Sequence, residues 1–126
     1  MLITIPVSVG ELVDKLTILK VKAARMSQAE QKRNVARELA LLQAALAGAA
    51  PLALDDLVAQ LEDVNGQLWD IENDIRACEA ARDFGPRFIA LARSVYVIND
   101  RRGALKRQVN DRAGSELVEE KSYTAY

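Results

Sequence analysis

The stretch RFIALARSVYVINDRRGALKRQVNDR (Arg87–Arg112) carries the clearest helical period in the chain. Phe88, Leu91, Val95, Ile98, Leu105 and Val109 fall on one side of a helix. Arg102 lands inside that stripe, with Asn99 and Lys106 at its margin. An apolar stripe of this kind must be buried against other elements. A guanidinium buried with it must find partners. The remaining elements are therefore read by how they can cover this face.

Immediately upstream, Asp83-Phe84-Gly85-Pro86 reads as a tight turn, with Pro86 in the first turn of the helix. Before the turn, Leu57, Leu61, Val64, Leu68, Ile71, Ile75 and Cys78 repeat at a 4-3-4-3-4-3 spacing, that of a left-handed antiparallel seam. This predicts a helix with Asp55 as N-cap, ending near Arg82. The stripe stays in phase across Asn65-Gly66, so the helix runs through the glycine at a cost of ~1 kcal/mol. A turn this short makes the two helices antiparallel neighbours.

Gly48–Leu54 (GAAPLAL) is a linker, in which Gly48 suits a helix end and Pro51 prevents continuation. Ser27-Gln-Ala-Glu30 has capping-box spacing and opens a helix that reaches about Ala47, with Val35, Leu39, Leu42 and Leu46 as its stripe. Its first turns are polar all round. Ser8-Val-Gly-Glu11 has the same spacing, with Ser8 as N-cap and Glu11 reaching back. The helix that follows runs to about Arg25, with an apolar face of Val9, Leu12, Val13, Leu16, Leu19 and Ala23 and a surface pair Glu11–Lys15. Gly114 ends the last helix, and residues 115–126 form a tail. The β-branched run Leu2–Ile5 is a short strand that can pair with this tail, an element weak on its own. The expected architecture is all-α, antiparallel helical hairpins forming a four-helix bundle in a single domain. One alternative satisfies the same stripes: the long hairpin dimerising with its copy.

Composition narrows the function. The 126 residues fit one domain, and a formal net charge of −1 leaves no electrostatic footprint for nucleic acid. The basic run Arg101–Arg107 is diluted by Asp100 and Asp111 and lacks interleaved aromatics. No apolar run approaches the ~20 residues of a membrane span. The N-terminus has no basic n-region and no long apolar h-region, so no signal peptide is expected. The single cysteine, Cys78, lies on an apolar helical face, consistent with a cytoplasmic protein. Histidine is absent, which excludes histidine acid/base chemistry. Asp70, Glu72 and Asp74 alternate and so scatter around a helix, and neither a metal nor a cofactor is expected. The expected partner is a second copy, as a dimer, with a further protein partner as an alternative. The tyrosine-ended tail is expected either to dock on its own domain or on a second copy, or to be disordered.

Folding the long hairpin at Gly85 brings Glu72 level with Tyr96–Asn99, Arg76 level with Arg93, and Asn65 level with Arg102. Glu72, Arg76, Arg93, Tyr96, Asn99, Arg102 and Lys106 are thus the candidate ligand-binding residues. Arginine grips a carboxylate in two places, lysine supplies a point charge, and glutamate orients both. The competing reading is an ion-pair network that fixes the hairpin register. A second anion candidate is the start of the first helix, where Ser8 and Gly10 accompany free N–H groups at a positive helix end. An ordinary N-cap explains Ser8 equally well.

IPVSVGELVDKLTILKVKAAR (Ile5–Arg25), LWDIENDIR (Leu68–Arg76), FIALARSVYVINDRRGALKRQVN (Phe88–Asn110) and GSELVEEKSY (Gly114–Tyr123) resemble a family of small bacterial proteins known as a domain of unknown function. The resemblance implies a bacterial, cytoplasmic, single-domain protein and brings no reaction or site. The leading expectation is a non-catalytic helical interaction or scaffold module. Its rival is a small-molecule-binding protein or enzyme acting on an anionic metabolite through the seam cluster.

Overall fold

The computed structural model describes residues 1–49 and 52–126. It is all-α, with four helices: α1 (Val9–Arg25), α2 (Ala29–Ala47), α3 (Asp55–Ala80) and α4 (Pro86–Ala113). α3 and α4 pack along one another as the expected hairpin, and α1 packs against α2, α3 and α4. Pro51, read as the stop after the second helix, lies outside the described residues.

α1 is the central element because three neighbours cover it. Val13, Leu16, Leu19 and Val21 are buried, and so are Gly10, Asp14 and Thr17. Val13 joins Leu54, Leu57, Leu61, Val64, Leu105 and Val109 in the core. A leucine as fully buried as Leu57 or Leu61 contributes about 1.5–3 kcal/mol. The seam of α3 and α4 is most deeply buried at the end where α1 lies on it, with Cys78 near the turn buried as well. Further along, Ile71, Ile75, Phe88, Leu91 and Val95 are half-buried, because only the facing helix covers them.

The ends of the helices refine the sequence reading. Ser8 caps α1 as expected, its Oγ accepting from the Glu11 N–H. Glu11 does not reach back to complete the box. Its carboxylate goes instead to Lys106, and Lys15 pairs with Glu38 of α2 at 3.0 Å, so the surface pair Glu11–Lys15 does not form. Ala23 is exposed rather than on the buried face. The cap of α2 is Gln28, with no side-chain cap bond, rather than Ser27. That helix start is exposed, so its N–H groups face solvent. α3 takes Leu54, not Asp55, as its cap residue. Burial of Leu54 in the core fixes the chain's entry, and Asp55 and Asp56 sit in the first turn at the positive helix end.

α3 runs through Gly66 and closes at Ala80, short of Arg82. Arg82 adopts a left-handed φ of 54°, while the Asp83 N–H returns to the Cys78 carbonyl and the Arg82 N–H to that of Glu79. Gly114 ends α4 in the same way at φ 62°, and the Ser115 N–H donates to the Asn110 carbonyl. The described residues contain no strand. The expected pairing of Leu2–Ile5 with the tail does not occur. Pro6 has no N–H to give, and the tail's polar groups go to α4 instead.

Candidate functional site

Arg102 does find partners, and its chief partner is Asp14 on α1. Arg102 Nε lies 2.9 Å from Asp14 Oδ1, and Nη2 lies 2.6 Å from Oδ2. Asp14 is 1% exposed, so this carboxylate is almost wholly removed from water. Asn65 Nδ2 donates to Asp14 Oδ1 at 3.0 Å and to Thr17 Oγ1 at 2.9 Å. Thr17 Oγ1 donates in turn to the Asp14 carbonyl at 2.7 Å. Asn65 and Arg102 are therefore level, as the hairpin register predicts, and meet through a residue of a third helix.

One turn along α4, Lys106 Nζ lies 2.7 Å from Glu11 Oε2 and 2.6 Å from Glu119 Oε2. Burial works against the Lys106 ammonium, but the hydrogen bonds to Glu11 and Glu119 outweigh it, so its pKa is raised above the ordinary lysine value. Asp14 beside Arg102 likewise raises the guanidinium's pKa. The two cations thus face three acids of the chain itself.

The tail, residues 115–126, is fastened across α4. Glu119 bridges Lys106 and Lys121, Glu120 pairs with Arg107 at 3.5 Å, and the Tyr126 hydroxyl donates to Asp100. Tyr96 and Tyr126 meet edge to face with ring centroids 5.2 Å apart. Hydrogen bonds from Lys106 and Lys121 pull the Glu119 carboxyl from its ordinary 4.5 to about 2. A carboxylate whose pKa falls on docking holds the tail in place above its ordinary value and loses that hold as pH falls through the depressed one. The tail is accordingly expected to remain docked at pH 4 and to come free as pH approaches 2. Amide NMR signals of Tyr123–Tyr126 followed over that range will show it, and Glu119→Gln should weaken docking already at neutral pH.

The start of α1 is closed by the protein's own side chains. The Val9 N–H donates to Ser115 Oγ at 3.1 Å, that of Gly10 to Asn110 Oδ1 at 2.6 Å, and that of Glu11 to Ser8 Oγ at 3.1 Å. The Val9, Gly10 and Glu11 N–H groups are therefore satisfied within the chain rather than free for an external anion. Gly10 serves close packing: a Cβ there would lie 2.6 Å from the Lys106 carbonyl oxygen and 2.9 Å from Asn110 Oδ1.

The seven candidate residues of the seam divide. Glu72, Arg76, Asn99 and Arg102 line one cavity of about 450 Å³, in the notch where α1 leaves the α3–α4 hairpin. Ile18, Val21, Leu68, Trp69 and Val95 give it an apolar wall. Tyr96 and Lys106 line a wider groove of about 1170 Å³ between α4 and the tail, where Asn99 and Arg102 also contribute. Arg93 is exposed and lines neither. Glu72 and Arg76 pair with each other at 3.5 Å.

The residues that sequence reasoning missed are Asp14, Glu11, Glu119 and Asn110. Gly10, Asp14, Thr17 and Val21 form their own 4-3-4 row, all buried, and that row was the available signal for Asp14. No described helix is long and apolar enough to cross a membrane. Comparison with family models, with curated proteins and with solved structures finds no match to this chain.

Proposed function

We propose that the chain is a non-catalytic helical interaction module of the bacterial cytoplasm, that it works as a homodimer, and that it belongs with the small bacterial proteins its motifs resemble. The observation that carries this reading is an arm of apolar side chains left on the surface. Leu2, Ile3 and Ile5, on the segment that precedes α1, are each two-thirds or more exposed. Soluble proteins expose single hydrophobic residues freely, but a contiguous run of them marks an interaction site. Ile89 and Val97 lie open on α4, on the half of the hairpin that α1 does not cover. The arm and the helical stripe are both apolar, so a second copy can cover each with the other. The pairing of Arg102 and Lys106 with Asp14, Glu11 and Glu119 supports a structural role for the seam rather than catalysis.

Gel filtration with light scattering at tens of micromolar tests the proposal. A mass near twice the 13.9 kDa of the chain is expected. Ile3→Glu/Ile5→Glu should shift the protein to monomer without lowering its thermal midpoint as a monomer. A wild-type chain that stays strictly monomeric sinks the homodimer.

A further inference from the structure

The notch between α1, α3 and α4 has the composition of a small-ligand site, and an interaction module does not require one. We infer that it binds a small monocarboxylate with a compact apolar body, the carboxylate on the outer edge of the Arg102 guanidinium and the body against Ile18, Val21 and Trp69. This goes beyond the interaction reading and stands or falls separately from it.

Arg102 is half-buried and held by two bonds to Asp14, so its plane is fixed. Those bonds use Nε and one N–H of Nη2, two of the five donors of a guanidinium. Nη1 makes no hydrogen bond among the described residues, and Arg102 lines both this cavity and the groove under the tail. A prefixed guanidinium grips a carboxylate with little further loss of side-chain freedom. Asn99 lies on the same wall, one turn earlier on α4, exposed and with no side-chain hydrogen bond among the described residues.

Charge sets the class of ligand. Arg102 is balanced by Asp14 beneath it, Lys106 one turn on is balanced by Glu11 and Glu119, and Glu72 with its partner Arg76 sits on the rim. A single negative charge can exploit the directed donors of Arg102. A multiply charged anion finds no surplus positive charge and meets the Glu72 carboxylate. The apolar wall asks for a hydrocarbon body. A volume of about 450 Å³ lies within the roughly 300–1,000 Å³ of small-molecule pockets.

Trp69 is the only tryptophan and lines the cavity, so its fluorescence reports the site directly. The full chain is titrated with 4-methylpentanoate, with 4-methylpentan-1-ol as an uncharged control and inorganic phosphate as a multiply charged one. The carboxylate should give a saturable change at millimolar concentration, the scale open to so small a ligand. The alcohol should bind at least about tenfold more weakly, as expected for loss of a charge-assisted hydrogen bond, and phosphate should give no response. Arg102→Lys keeps a cation for Asp14 but removes the fork, and should abolish the preference for the carboxylate. Asn99→Leu changes an exposed residue, leaves the fold intact, and should weaken binding several-fold. The inference is overturned if there is no saturable response, if acid and alcohol respond equally, or if Asn99→Leu binds as the wild type does.

Discussion

Arg102→Ala is expected to destabilise the protein by about 3–5 kcal/mol, the cost of leaving a buried charge without its partner. The reason lies on Asp14 rather than on Arg102. Asp14 is 1% exposed, and two of the bonds that satisfy its carboxylate come from this one guanidinium. Without Arg102 only the Asn65 amide remains on that carboxylate. Removing both charges has a different outcome. In Asp14→Leu/Arg102→Met the buried charge is gone, and Asn65 keeps its bond to Thr17. The double variant should lie within about 1 kcal/mol of the wild type or above it, as found when apolar groups replace buried ion pairs. Urea unfolding of the four proteins in the cycle measures both quantities. A single-variant loss below about 1 kcal/mol would show that Asp14 does not depend on Arg102.

The second large effect is expected at Gly10. Alanine inside a helix is ordinarily favoured over glycine by ~1 kcal/mol. Here the sign reverses, because the added Cβ would stand 2.6 Å from a backbone oxygen, that of Lys106, which no rotamer change can move aside. Gly10→Ala should therefore cost about 1–3 kcal/mol, the usual penalty of overpacking. The displacement also pulls the Gly10 N–H from Asn110. Thermal unfolding measures the loss. Gly66→Ala supplies the contrast, since its Cβ would meet only the end of the Arg25 side chain at 3.9 Å. That substitution should be neutral or stabilising.

The helices were legible because apolar period and turn chemistry agree. The 4-3 spacing of α3 carried it through Gly66, and the Asp83–Pro86 turn fixed the hairpin. Four of the seven seam residues converge in one cavity because hairpin register follows from that turn. Asp14 was not legible for a physical reason: a polar residue in a buried row scores as surface until its partner is known. Its partner lies 88 positions away, on a helix that sequence alone could not dock. Glu11 was assigned to Lys15 because local spacing was the only evidence, and a buried lysine on α4 proved the stronger claimant. Glu119 lies in a segment without period, so nothing local in the sequence places it against Lys106.

The closure of the first helix by Asn110 and Ser115 bears on the order of folding. Val9 and Ser115 are 106 positions apart, and Gly10 and Asn110 are 100 apart. During synthesis α1 emerges early, but its first N–H groups lack these acceptors until the chain has grown to Asn110 and Ser115. The α1–α2 and α3–α4 hairpins form from nearby contacts, whereas seating α1 on α4 requires closing nearly the whole chain into a ring. Such distant contacts repay their entropy late. A nascent chain that stops short of Asn110 therefore leaves the start of α1 unclosed, and the docking of α1 on α4 comes late even though α2 and α3 are already at hand.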